Sequence, residues 1–264
     1  MTTKQRTAQQ DDISGGLLGK QDFSEYMYLE ERFAQLPILN ADIAGATGTW
    51  TLAGGLLMNR GNKSFEVSGT NSASATTCTY DTTYKCMKMV TAGADNDRSA
   101  IFPHQDAAMN IWQDIGWDTA HEATFSTVLM ASAVTYVNMW AGFDLAATTN
   151  ATLATALSAG ADQVRFWFET DTPYTTWQIA YSIDGTDALI DTGITVEATT
   201  WYKMEIRINA DRKALCYING ELVGTTTALT TNIAMFPTIG LQELSGAARS
   251  LYIPGLACSQ LLGV

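Results

Sequence analysis

The segment from Thr200 to Thr225, TWYKMEIRINADRKALCYINGELVGT, constrains the fold of this chain more than any other. Tyr202, Met204, Ile206 and Ile208 alternate with Lys203, Glu205, Arg207 and Asn209, so one face of a strand is apolar and the other polar. A period of two belongs to a half-buried antiparallel strand. Ala210 to Lys213 supplies a polar reversal, and a second strand runs through Leu215 to Ile218. Asn219-Gly220 follows, the dipeptide best suited to the positive φ angles of a tight hairpin. Three short strands joined by two local turns make a meander, and the fold class is antiparallel β.

At 264 residues the chain holds one large all-β domain with appendages, or two small domains. Hydrophobic residues make up 46%, enough for a core, against only 16% charged. Fifteen basic and 27 acidic residues give a net charge of −12, which repels phosphate backbones and anionic lipid surfaces. Nucleic acid and membranes are therefore not expected as partners. The opening residues, MTTKQRTAQQDDISGG, lack an apolar run, so no secretory signal is expected. The most apolar stretch, Val128 to Phe143, carries Ser132, Thr135 and Asn138 and reads as two strands rather than a lipid-facing helix. Four cysteines are too few for a disulfide scaffold. Cys78 and Cys86 bracket a loop that a disulfide would close across a hairpin, and Cys216 and Cys258 both fall in strands and are candidate neighbours. The other reading is that all four are reduced core residues.

The first twenty residues are polar and read as an extended arm. From Asp22 the pattern is helical: Asp22 and Glu25 resemble a capping box, and Tyr26, Leu29, Phe33 and Leu36 recur at i, i+3, i+7 and i+10 before Pro37. Residues 1–44 are thus expected as an arm and short helix, with Tyr26, Leu29, Phe33 and Leu36 as a candidate assembly surface. Residues 45–264 are expected as one sandwich. Within it, strands are expected at Lys85–Val90, Ser99–Phe102, Ala123–Met130, Tyr136–Phe143, Gln163–Glu169, Thr176–Ile183, Thr192–Glu197, Ala234–Leu241 and Ser250–Ser259, besides the meander. Val164, Phe166 and Phe168 point one way, Arg165, Trp167 and Glu169 the other. Many short strands at regular spacing imply an all-β, two-sheet antiparallel jelly roll.

Gly142-Phe143, Val164-Arg165-Phe166, Trp177, Asp191-Thr192-Gly193-Ile194, Trp201-Tyr202-Lys203 and Tyr217-Ile218-Asn219-Gly220 occur in that order. Together they resemble the concanavalin A-like, or laminin-G-like, jelly-roll superfamily, and in particular its divergent versions in bacteriophage virion proteins. The overlap runs from about Lys85 to Ser259. The resemblance implies two antiparallel sheets, one of them curved, whose concave face holds sugar in lectin and glycosidase relatives. It also implies a non-enzymatic virion structural protein, a capsid decoration (cement) protein or a related head or tail component. Such a protein would assemble in the host cytoplasm, self-associate, with a trimer as first expectation, and touch the major capsid or other virion proteins. The alternative is a glycan-binding module for host attachment.

The glycosidase relatives use paired carboxylates in an E-x-D-x-x-E strand pattern, and no strand here carries it. Glu205 is flanked by Lys203 and Arg207 and reads as part of a solvated charge ladder. His104 and His121 sit near Asp106 and Asp118, but no G-x-S-x-G turn supplies a nucleophile. No catalytic residue is assigned, and the expectation is of a protein that is not an enzyme. Calcium, bound by relatives through loop oxygens, has Asp95, Asn96, Asp97, Asp184 and Asp187 as candidate ligands here. The same residues are ordinary turn formers, and no other cofactor is expected. Trp112, Trp117, Trp140 and Trp167 are candidates to stack on sugar rings, or else to fill the core.

Overall fold

The computed structural model of the chain describes residues 26–33, 38–39, 47–51, 64–70, 77–91, 96–103, 117–144, 162–170 and 174–261. These form two antiparallel sheets packed face to face. The eight-stranded sheet contains β1 (Tyr26–Arg32), β5 (Thr77–Asp81), β6 (Cys86–Val90), β9 (Ala123–Ala131), β14 (Tyr202–Ile208), β15 (Lys213–Ile218), β16 (Glu221–Ala228) and β18 (Ser250–Leu261). Its order is β16-β15-β14-β9-β18-β6-β5, with β1 also pairing β18. The ten-stranded sheet contains β2 (Ile38–Leu39), β3 (Thr47–Thr51), β4 (Ser64–Thr70), β7 (Arg98–Pro103), β8 (Trp117–Asp118), β10 (Val137–Asp144), β11 (Gln163–Glu169), β12 (Thr176–Ile183), β13 (Thr186–Thr195) and β17 (Ala234–Glu243). Its order is β13-β12-β11-β10-β17-β7-β4-β3-β2, with β8 also on β17.

The alternation read from the sequence sets the core. Tyr202, Met204, Ile206 and Ile208 of β14 are buried, while Lys203 and Arg207 are exposed. Opposite them stand Val164, Phe166 and Phe168 of β11 and Trp177, Ile179 and Tyr181 of β12. Aromatic pairs lock the layers: Phe125 meets Phe143 at 5.7 Å between ring centroids, and Trp177 meets Tyr202 at 5.7 Å, both edge to face. Asn219 and Gly220 take φ of 53° and 90° between β15 and β16, and Asp184 and Gly185 take 47° and 74° between β12 and β13. Both hairpins thus use the turn chemistry their sequences announce.

One expectation is corrected. The segment carrying Tyr26, Leu29 and Phe33 is not a helix but β1, paired from Tyr26 opposite Leu261 to Arg32 opposite Gly255. Leu29 and Phe33 are both buried in the core. A spacing of four is even, so it satisfies one face of a strand as well as one face of a helix. The edge of β18 beyond its pairing with β6 then decides between them, since that backbone needs partners. Leu36 lies outside the described residues.

Of the two readings of the cysteines, the structure has the reduced one: all four are buried and free. Cys216 pairs with Ile206, Ile206 with Phe125, and Phe125 with Cys258. The two cysteines therefore share one row but stand three strands apart, about 14 Å at ordinary strand spacing. That is far beyond disulfide reach. Cys78 sits opposite Met89, three pairs along from Cys86 opposite Asp81, so the two thiols fall on opposite faces of the hairpin.

Candidate functional site

Each strand of the ten-stranded sheet has a second face, turned away from the core. β10 contributes Asn138, Trp140, Gly142 and Asp144; β11 contributes Gln163, Arg165, Trp167 and Glu169; β12 contributes Gln178, Ala180 and Ser182; β17 contributes Thr238, Gly240 and Gln242. In a two-layer sandwich such a face is expected to be wet. Here it is buried, and β10 and β11 are buried along their whole length.

The centre of this face is Arg165, whose side chain is 0% exposed. Its Nη1 donates to Asp144 Oδ2 at 2.8 Å, and its guanidinium lies 4.9 Å from the Trp167 ring centroid. Burial pulls the guanidinium down from its ordinary value, and the neighbouring Asp144 carboxylate opposes that. Nε and Nη2 of Arg165 have no acceptor, nor does the indole Nε1 of Trp167. Three donors on these two side chains are thus left without partners, each costing on the order of 1–3 kcal/mol.

Aromatic packing sits beside these donors. Trp140 and Trp167 stack at 5.5 Å with 15° between their planes. Trp140 lies over Gly240, its partner on β17, where a Cβ would enter the indole ring, and its Nε1 donates to Thr238 Oγ1 at 3.4 Å. Ala100, Ala180 and Leu189 complete a second small apolar cluster around the two indoles. A polar ladder continues from it: Asn138 Nδ2 donates to Gln242 Oε1, and Gln242 Nε2 donates to Asn96 Oδ1, each at 3.2 Å.

One row of the face runs from solvent to this centre. Asp191 on β13 is exposed, its neighbour Gln178 is buried, and Trp167 and Trp140 follow. Gln178 Nε2 donates to Thr176 Oγ1 at 2.9 Å, and Thr176 Oγ1 donates to Asp191 Oδ1 at 2.6 Å. The Thr176 hydroxyl and the Gly193 amide hold the Asp191 carboxyl below its ordinary range.

The calcium candidates do not converge. Asn96 is tied to Gln242, Asp97 is buried with its carbonyl accepting from the Glu243 amide, and Asp184 and Asp187 lie at the exposed β12–β13 hairpin. Among the described residues no group of three or more His, Cys, Asp or Glu stands close enough to share an ion. Asp95, His104, Asp106 and Trp112 lie outside the described residues. Trp117 belongs to the main core, 6.5 Å from Phe143, and His121 sits in a turn after Asp118. Glu205 accepts from Arg207, as the charge ladder requires. The alternation of β11 had marked Arg165 and Trp167 as sharing a face. What it missed was Asp144, Gln178 and Gln242, whose signal is a polar residue at every second position of strands that otherwise read as continuously apolar.

No family model and no curated protein sequence matches the chain. Solved structures do. A protein of unknown function from Shewanella oneidensis MR-1 superposes with a TM-score of 0.53 at 11% identity, over 99% of this chain and 97% of that one. The carbohydrate recognition domain of Emp47p gives 0.51 at 10% identity, over 92% and 100%. A family 7 alginate lyase, solved with substrate, gives 0.50 at 13% identity, over 72% and 84%. Two of the three are proteins of carbohydrate recognition and of alginate cleavage.

The lyase corrects the expectation of a protein that is not an enzyme. That expectation rested on the missing E-x-D-x-x-E carboxylates and the missing G-x-S-x-G turn, both marks of hydrolases, whereas the same sandwich also carries a lyase. The chain has the concanavalin A-like jelly-roll fold.

Proposed function

We propose that the protein binds a glycan on the outer face of its ten-stranded sheet, along the row from Asp191 through Gln178 to Trp167 and Arg165. The observation that carries this reading is the set of buried donors without acceptors, Nε and Nη2 of Arg165 and Nε1 of Trp167. A saccharide has the complementary chemistry. Its hydroxyl and ring oxygens accept from such donors, and its C–H faces stack on indole rings. Arg165 and Asp144 neutralise each other, so the centre does not demand a charged ligand. Asp191 and Thr176 form the solvent-facing margin of the row, from which a sugar chain reaches the centre. The carbohydrate recognition domain of similar fold supports the reading by analogy of fold.

The test is a glycan array probed with the full chain, followed by titration of the best ligand against variants. Gln178→Ala, and Arg165→Met combined with Asp144→Leu so that no charge is left buried alone, are expected to weaken binding about tenfold or more, the usual effect of removing a central contact. Binding unchanged in both, or no ligand on the array, contradicts the reading.

A further inference from the structure

The eight-stranded sheet carries a different surface on its own outer face. Tyr252 on β18 lies opposite Lys88 of β6 and Met130 of β9. Trp201 immediately precedes β14, whose first pair sets Tyr202 opposite Leu129, so Trp201 enters the same row beside Met130. Tyr84, from the turn joining β5 and β6, leans over this row. Its ring centroid is 4.9 Å from that of Tyr252 and 5.8 Å from that of Trp201, edge to face in both cases.

The cluster is exposed and yet held in place. Tyr84 is 41% exposed, one of few large apolar side chains so open to water among the described residues. The turn that carries it is fixed by Asp81, whose Oδ1 accepts from the amides of Thr83 at 2.9 Å and Tyr84 at 2.8 Å. Trp201 and Tyr252 are half-buried beside it, and Met130 and Cys86 are buried on the same face. Packing against these two residues accounts for part of each ring, but not for the open flank of Tyr84.

The charge around the rings runs against the rest of the molecule. Lys88 Nζ stands 5.7 Å from the Tyr252 ring centroid. Lys85 follows Tyr84 in the turn, and Lys203 lies two residues along β14 from Trp201; both are exposed. Three lysines thus surround three aromatic rings in a chain of net charge −12, and the adjacent Asp81 carboxylate is engaged by its own turn. Aromatic rings stack on the C–H faces of sugars, and ammonium groups pair with carboxylate or sulfate.

We propose that Tyr84, Trp201, Tyr252 and Lys88 form a second saccharide site, specific for acidic glycans, on the face opposite the buried Arg165 row. It stands on different residues from the function proposed above and does not depend on it.

The experiment titrates a labelled uronic-acid tetrasaccharide and a neutral glucan tetrasaccharide against the full chain by fluorescence anisotropy at low and high salt. The acidic ligand is expected to bind, and to bind about tenfold more weakly at high salt because exposed lysines are screened. Trp201→Ala and Tyr84→Ala are expected to weaken it about tenfold or more. Lys88→Gln, a surface change that leaves the rings in place, is expected to weaken it about threefold and to flatten its salt dependence. Lys213→Gln, which removes an exposed lysine of β15 that belongs to neither site, is expected to leave it unchanged. A loss in Lys213→Gln as large as that in Lys88→Gln, equal binding of the neutral ligand, or binding of neither overturns the proposal. So does concentration-dependent self-association that Trp201→Ala abolishes without any effect on sugar binding, since the patch would then be a contact between copies.

Discussion

Gly142 lies directly opposite Arg165 in the β10–β11 register, and a Cβ on Gly142 would come within 2.5 Å of the Arg165 Cα. The absent side chain is what allows β10 to pass beside the arginine backbone at φ 153°, a region that favours glycine.

Gly142→Ala is therefore expected to destabilise the fold by about 2–4 kcal/mol, combining backbone overlap with an unfavourable φ. Urea denaturation of variant and parent would measure it. A midpoint shift corresponding to less than about 0.5 kcal/mol would mean that the strands separate there at little cost.

The Arg165–Asp144 pair gives an asymmetric result. Asp144→Ala leaves a buried guanidinium without its anion and is expected to cost about 3–5 kcal/mol. Replacing both together, as Arg165→Met with Asp144→Leu, is expected to recover most of that loss, because no charge is then left buried alone. A double-mutant cycle in urea shows which holds, and additive losses would contradict a coupled pair.

Removal of residues 1–36 is expected to leave an unstable, aggregation-prone sandwich, because β1 supplies Leu29 to the core and seven paired residues to β18, and Phe33 directly after it is buried as well. Leu29→Ala alone should cost about 2–4 kcal/mol. A truncated protein that stays monomeric and melts like the parent would show that β1 is an appendage.

Cys78, Cys216 and Cys258 are pushed above the ordinary thiol range by burial, and Cys86 is pushed up to about 11 by burial with help from Asp81. All four thiols are expected to resist a thiol reagent in the folded protein at mildly alkaline pH and to react together in denaturant. Rapid labelling of any one in the native state would contradict the packing around it.

Much of the architecture was legible because alternation is a direct physical consequence of the strand pleat. β11 and β12 fall on the residues the pattern marked, and both Asn219-Gly220 and Asp184-Gly185 turn where their chemistry places them. The reading failed at β1, where Leu29 and Phe33 fit either period and the decision belonged to β18, more than two hundred residues away. The candidate site was hidden for a related reason. Asn138 and Asp144 on β10 look like interruptions of an apolar strand until pairing sets them beside Gln242 and Arg165. Tyr84 was hidden as well, since nothing local announces that a turn residue will reach Trp201 and Tyr252.

The most direct test of glycan binding at the buried row is the indole N–H resonance of Trp167, assigned through a Trp167→Phe variant, followed while the best array ligand is added. The account predicts that this resonance moves as its unpartnered Nε1–H gains an acceptor, while Trp177, whose Nε1 is equally unpartnered but lies in the main core, stays still. A saturating ligand that leaves Trp167 unmoved and shifts only Trp201 would contradict it.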